Sequence, residues 1–352
     1  MRFEFLSSTP PSATEGSGTW VAIDGVLRGL ARLGHVAALR PLGARSGIHT
    51  LDRWRYNRAV VRTPPTADVV IGVDLDGFLW APRRPRAIRY AVMLKGIIAD
   101  ELRNERGLVR ALLALQARWE RRNVQGAERV IVPSRYSAAI AQALYGVPER
   151  ALAVVPEPID LAEWRRRFAA APPRPSAAPT VLAVARMYPR KRLEDLLRAA
   201  AALRARIPEV QVRIVGEGPE SARLRRLAEQ LGLAGTVSFL GAVARQALAV
   251  EYSRADCFCL PTVQEGFGIA FTEAMAAGLP IVACRAAAVP EVVEDGRTGL
   301  LVSPRSPEEL AMAMEKVLSS AALRRELGDN GRRRVEALDL DRVASRLLEV
   351  LP

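Results

Sequence analysis

The sequence predicts an α/β protein made of two parallel sheets, each covered on both faces by helices. Three observations carry this reading. Strand-like apolar runs alternate with helical segments along nearly the whole chain. The alternation halts at a proline-rich stretch and then restarts. Several strands are apolar at every position, as strands covered on both faces must be. With 352 residues the chain is longer than one hydrophobic core usually serves, so two domains are expected.

Taken in order, residues 2–6 read as a strand followed by a polar loop. Residues 19–33 place Ile23, Val26, Leu27, Leu30 and Leu33 at helical spacing, and Gly34 stands where a left-handed C-terminal cap belongs. Strand character returns at 36–39, 68–73 and 87–94. Residues 107–125 form a helix carrying Arg118, Arg121 and Arg122, and 129–132 a further strand. Residues 165–179 are rich in arginine, alanine and proline, the composition of an exposed linker. Beyond it come strands at 180–185, 211–215, 237–240, 257–260 and 280–283, with helices at 192–206, 219–231 and 269–277. The expected division is a first domain over 1–171, a linker over 172–179 and a second domain over 180–335. A C-terminal helix over 336–352 is expected to pack back on the first domain.

Composition narrows the function classes. Hydrophobic residues make up 49% of the chain, enough for two ordinary cores. No apolar run is long enough to span a bilayer, and the N-terminus lacks a signal-peptide pattern, so a cytoplasmic location is expected. The three cysteines, Cys257, Cys259 and Cys284, read as reduced and buried, and no metal site is expected. The formal charge of +13 comes almost wholly from arginine, since Lys95, Lys191 and Lys316 are the only lysines. Such a surface attracts anions. Zinc-finger spacing and basic–aromatic interleaving are missing, so no nucleic-acid partner is expected. Arg165, Arg166, Arg167 and the arginine face of 107–125 suit peripheral contact with an anionic membrane. The plainer reading of both is a solvated basic face.

The chemistry concentrates in Glu265-Gly-Phe-Gly-Ile-Ala-Phe-Thr-Glu273. Gly266 and Gly268 let backbone approach a ligand closely, and the helix start that follows offers free N–H groups to an anion. A carboxylate accepts two vicinal hydroxyls, so one glutamate suits a sugar and the other a ribose, with phosphates between. The alternative is a loop carboxylate and a charge favourable to a helix N-terminus. Arg186 and Lys191, in the loop after residues 180–185, suit the negative charge that builds on a departing diphosphate. They also admit a reading as surface charges. Gly216-Glu217-Gly218 lacks the third glycine of a dinucleotide fingerprint and reads as a turn.

These segments resemble the retaining glycosyltransferases of family 4. So do residues 184–191, 215–220 and 289–302, in family order. The resemblance implies the GT-B fold, two Rossmann-like doubly wound domains facing a deep inter-domain cleft. It implies transfer with retention from a nucleotide diphosphate sugar (UDP- or GDP-linked) to a glycan, lipid or small-molecule acceptor. It implies no metal and no cofactor. By the same resemblance Glu265, Arg186 and Lys191 are catalytic. Gly16, Gly18, Glu217, Val243, Gly266, Phe267, Gly268, Ile269 and Glu273 bind the donor. Lys95 stands where many members have histidine, and with Asp100 and Glu101 it marks the acceptor side. The alternative is a protein of the same fold that binds a sugar nucleotide or glycan without turnover.

Overall fold

The structure, a computed structural model, describes residues 1–12, 17–43, 45–174 and 177–352. It divides into two compact units, residues 1–158 with 340–352, and residues 159–339. The division falls at Pro158, ahead of the boundary expected at 171.

The first unit holds β1 (Arg2–Leu6), α1 (Ser17–Arg32), β2 (Val36–Arg40), α2 (His49–Arg62) and β3 (Val69–Val73). It continues with β4 (Arg89–Met93), α3 (Ile98–Glu101), α4 (Gly107–Gln125), β5 (Arg129–Val132), α5 (Arg135–Tyr145) and β6 (Leu152–Val154). Its six strands lie in the order β2-β1-β3-β4-β5-β6, all parallel. Strand geometry sends alternate side chains to opposite faces. Val69, Ile71 and Val73 therefore pack with Ile23, Val26 and Leu30 of α1, while Val70 packs with Tyr56 and Val60 of α2. All five positions of β3 are buried, which explains its uninterrupted apolar run.

The second unit holds α6 (Leu161–Ala169), β7 (Thr180–Val184), α7 (Leu193–Arg204), β8 (Gln211–Val215), α8 (Ser221–Gln230), β9 (Val237–Gly241), α9 (Arg245–Arg254) and β10 (Cys257–Leu260). It ends with α10 (Ile269–Ala277), β11 (Ile281–Cys284), α11 (Val289–Val292), β12 (Gly299–Val302), α12 (Pro307–Leu318) and α13 (Ala321–Val335). The order is β12-β11-β10-β7-β8-β9, again all parallel. The three cysteines are free and buried in this sheet, on β10 and β11.

The stretch expected to be linker from residue 165 is helical through residue 169. α6 buries Trp164, whose ring stacks on Phe168 at 5.3 Å and meets Tyr252 edge-on at 5.7 Å. Its arginines are paired: Arg165 pairs with Glu336, and Arg166 and Arg167 share Glu163. Two carboxylates thus serve three guanidiniums, and Arg165 and Arg166 stay exposed at the surface. Elements absent from the sequence reading include α2, α5, α9 and β12.

The last helix, α14 (Leu340–Val350), belongs to the first unit and buries Val343, Ala344 and Leu347 in the core with α1. Two glycines of α1 make room for it. A Cβ on Gly29 would lie 2.7 Å from the Leu340 carbonyl oxygen and 2.8 Å from Ala344 Cβ. Gly29→Val is expected to overpack this crossing and destabilise the first unit by about 1–3 kcal/mol. The check is a urea titration, with proteolysis after residue 340 reporting release of α14.

Candidate functional site at the carboxyl edge of the second sheet

In an open parallel sheet, ligands bind beyond the carboxyl ends of the strands, where strand order reverses. In the second unit the reversal lies between β7 and its neighbour β10. The loops leaving these strands carry Arg186 with Lys191, and Glu265.

The two loops are sewn together. The Arg190 carbonyl accepts from the Val263 amide at 3.0 Å and lies 3.3 Å from the Thr262 hydroxyl. Lys191 Nζ forms an ion pair with Glu265 Oε2, and Thr262 Oγ1 is 3.4 Å from that same oxygen. Both charged side chains are largely buried, with 11% and 13% of their surface exposed. Arg192, next in sequence, is held in the left-handed region at φ 52°. Its guanidinium grips Asp195 through Nε at 2.9 Å and Nη2 at 2.8 Å. A non-glycine residue in that region is strained, so this grip fixes the direction in which the Lys191 loop enters α7.

Gly268 stands before α10 at φ 97°, a conformation L side chains rarely adopt. A Cβ there would also lie 2.5 Å from the Phe271 ring and 3.2 Å from Glu265 Cγ. The glycine therefore lets the Glu265 loop fold tightly over the start of α10. Phe267 beside it is buried in the core, and Gly266 and Ile269 flank the turn half-buried.

Neighbouring loops extend the edge. The Met187 amide donates to the Glu217 carbonyl at 3.0 Å, and the Gly216 amide to the Gly241 carbonyl at 2.8 Å. Glu217 is exposed, with its carboxylate over Gly241, while half-buried Val243 packs on the core. Arg186 lies over the Tyr188 ring at 5.7 Å, and Arg190 over the same ring at 4.7 Å.

Glu273 has a different setting. It is buried in the second turn of α10, too far along the helix to act as a first-turn charge. Its Oε2 accepts from the Tyr252 hydroxyl at 3.0 Å, and its Oε1 lies 3.9 Å from Arg245. Burial holds the Glu273 carboxyl above the usual carboxylate range, opposed by the Arg245 charge. Burial, reinforced by Glu273, also raises the Tyr252 phenol. Arg245 and Tyr252 went unnoticed in the sequence. Their signal was present: seven residues apart on α9, they share one helix face.

The first unit has its own reversal, between β1 and β3. There Asp76 accepts from the Ser8 amide at 2.5 Å, the Ser8 hydroxyl at 2.7 Å and the Asn57 amide group at 3.1 Å. Asp74, at φ 53°, accepts from the Lys95 amide at 2.8 Å. Burial raises both carboxyls, Asp74 to about 6, with Arg53 pulling each back down. Lys95, expected on the acceptor side, buries its ammonium in an ion pair with Glu157 at 2.7 Å. Asp100 is buried, accepts from Tyr136 at 2.8 Å and pairs with Arg103 at 3.1 Å. Glu101 is half-buried, its Oε1 close against Gly96. Gly18 lies in the first turn of α1, and Gly16 lies outside the described residues.

A carboxyl raised in the folded state binds its proton more tightly there than in the unfolded chain. The stability it contributes is complete below the unfolded pKa and is lost as pH rises through the folded one. For Asp74 the loss spans pH 3.8 to about 6. Asp74→Asn keeps an oxygen for the Lys95 amide and removes the titrating proton. It is expected to stabilise the fold at pH 8, relative to its effect at pH 4, by on the order of 2–3 kcal/mol. Paired thermal denaturations of both proteins at the two pH values measure this.

Comparison with known proteins gives the same picture. Residues 21–163 match the family model described as Glycosyltransferase Family 4, and residues 165–334 match Glycosyl transferases group 1. The chain is 35% identical over 204 residues to a GDP-mannose-dependent alpha-(1-6)-phosphatidylinositol monomannoside mannosyltransferase of Mycobacterium tuberculosis, covering 56% of this chain and 52% of that protein. It is 32% identical over 246 residues to a D-inositol 3-phosphate glycosyltransferase of Actinosynnema mirum, covering 65% of this chain and 58% of that protein. The chain thus spans about half the length of the relatives it matches. Among solved structures, sucrose-phosphate synthase from Thermosynechococcus elongatus superposes with a TM-score of 0.81 at 22% identity, over 99% of this chain and 98% of that one. WaaG, a glycosyltransferase involved in lipopolysaccharide biosynthesis, superposes with a TM-score of 0.75 at 17% identity, over 100% and 99%. At such identities these structures establish the fold, which is GT-B. With each half matched by its own family model, the chain belongs to the group 1 glycosyltransferases of family 4.

Proposed function

We propose that the chain transfers a sugar, with retention and without a metal, from a nucleotide diphosphate to a hydroxyl-bearing acceptor. The observation that carries this is the contact of Lys191 with Glu265, made across the two loops that flank the strand reversal. Breaking a glycosyl–phosphate bond sends negative charge onto the diphosphate, and fixed cations held in a sheltered edge neutralise it without reorganising. Lys191 and Arg186 supply them. Glu265, released from Lys191 when phosphate arrives, accepts hydroxyls of the transferred sugar. The backbone from Gly266 to Ile269 lies along the sugar and phosphates. Glu273 takes the ribose hydroxyls, Glu217 lies beside the nucleotide, and Val243 sits against its base. Lys95, Asp100 and Glu101 remain our assignment for the acceptor side.

The relatives' names point to the first compounds to try. They specify GDP-mannose as a donor, and phosphatidylinositol monomannoside and D-inositol 3-phosphate as molecules acted on. GDP-mannose is therefore the first donor, and an inositol-containing polyol the first acceptor class.

Lys191→Ala is expected to lower kcat about 10²–10³-fold, as loss of one charge-stabilising donor does elsewhere. Because the change also leaves the largely buried Glu265 carboxylate without its counter-charge, some loss of stability accompanies it, and kcat is taken per folded molecule with the melting temperature measured alongside. Labelled GDP-, UDP-, ADP- and TDP-sugars decide the question. Turnover unchanged by Lys191→Ala removes the assignment, and binding without turnover identifies a binding protein of the same fold. Glu273→Gln keeps an acceptor for Tyr252 but loses the charge-assisted bonds to hydroxyls. We expect about tenfold weaker donor binding with no loss of stability at pH 8, read by calorimetry and thermal melting.

A further inference from the structure

Arg245 stands where a helix resists a cation. It is the first residue of α9, whose first turn carries no acid, and the free N–H groups of a helix start repel positive charge. Its guanidinium lies over the Trp164 ring at 5.2 Å, and Nη2 is 3.9 Å from Glu273 Oε1. The Arg245 side chain makes no hydrogen bond among the described residues, so these two contacts hold it. Trp164 is itself locked, buried against Phe168 and Tyr252.

The two oxygens of Glu273 are used differently. Oε2 accepts from the Tyr252 hydroxyl at 3.0 Å. Among the described residues Oε1 accepts no hydrogen bond, yet it is not sealed from solvent. At 3.9 Å Arg245 is close enough to supply a counter-charge and too far to donate. A guanidinium free to advance would fork onto the carboxylate and occupy both oxygens. The Trp164 ring holds it back, and the lone pairs of Oε1 stay open.

Few charges bear on Glu273. Burial raises its carboxyl, and Arg245 is the strongest influence against that, ahead of the Tyr252 hydroxyl. On α6, Arg166 and Arg167 share Glu163, and Arg165 pairs with Glu336. From α13, Arg332 is engaged by Asp329 and by the Ala277 carbonyl, at the other end of α10. Strand β11 brings no acid or base. The ionisation of Glu273 thus depends on one arginine.

We propose that Arg245 is a positioning residue for the donor: pinned over Trp164, it keeps Glu273 a carboxylate with one oxygen open to the ribose hydroxyls. The proposal rests on the assignment of those hydroxyls to Glu273. It adds a residue that acts on the donor through Glu273, and it makes α6 part of the donor site through Trp164.

The test is calorimetric titration of the full chain with GDP and UDP, and with their 2′,3′-dideoxy forms, which lack both ribose hydroxyls, from about pH 5.5 to 9. A carboxylate deprived of its cation takes up a proton at higher pH, so the effect of removing Arg245 must grow as pH falls. R245Q is expected to bind the nucleotide about tenfold more weakly than the parent at pH 6, and within about twofold of it at pH 9. Dividing by the parent value at each pH removes the nucleotide's own titration. R245K, which returns the charge, should recover most of the loss at pH 6. The dideoxy forms should bind R245Q and the parent equally. Affinity that R245Q leaves unchanged at every pH, while E273Q weakens it, overturns the proposal and leaves the ribose assignment standing. Equal weakening of the ordinary and dideoxy nucleotides by R245Q overturns it too, since Arg245 would then act on the phosphates or on the fold. If the parent binds neither nucleotide, or if E273Q and loss of the hydroxyls both leave affinity unchanged, the ribose assignment fails and takes the proposal with it.

Discussion

The Lys191–Glu265 ion pair exists because of a strand order. The two residues lie 74 apart in sequence and come from loops that leave neighbouring strands. Those strands are neighbours because the second sheet is wound outward in both directions from β7 and β10. Had the sheet been wound in one direction only, helices would have covered this edge and the two loops would not have met. The Arg190 carbonyl, receiving the Val263 amide, holds the loops together, and the Arg192 grip on Asp195 aims one of them. The charged pair is thus the visible end of a scaffold made from backbone geometry.

Charge in this protein is handled by pairing. Arginine supplies nearly all of the net +13, yet many arginines are spent on nearby acids. Arg213 pairs with Glu251, Arg223 with Glu194 and Glu220, and Arg334 with Glu294. Such pairs add little stability each at the surface, but they remove the arginine from service as a docking charge. Net charge alone therefore says little about where an anion binds. Position decides: at the second sheet's edge a cation is kept beside a carboxylate in a largely buried pair, and on α4 cations are left facing water.

Burying acids is the opposite strategy. Asp74, Asp76, Glu120 and Glu273 sit in the interior of their units with raised affinities for protons. Each is held by neutral donors such as Ser8, Asn57, Tyr145 or Tyr252. Removing a carboxylate from water costs more than one hydrogen bond returns, so these positions lower stability at neutral pH. They cluster near carboxyl ends of strands in both units, where such a cost is tolerated for positioning.

Much of this architecture was legible in the amino-acid order. Apolar runs at β3, β7 and β10 announced strands covered on both faces, and the spacing from Ile23 to Leu33 announced α1. The Glu265 to Glu273 segment and the lysine at 191 marked the edge, because glycine, acid and helix start must follow one another locally to make it. Local order could not show that α6 continues through the arginine triplet. Its helix is secured by Trp164 meeting Tyr252, a contact made far along the chain. Nor could it show which face of α4 looks outward. A pattern of leucines predicts a helix, but only the bonds from Asn123, Glu120 and Gln116 to other elements fix its rotation. Sequence determined the elements and the chemistry each one carries, since both depend on near neighbours. Tertiary structure decided which acid meets Lys191, which acids lose water and which leucines keep it, since these depend on what lies across the sheet.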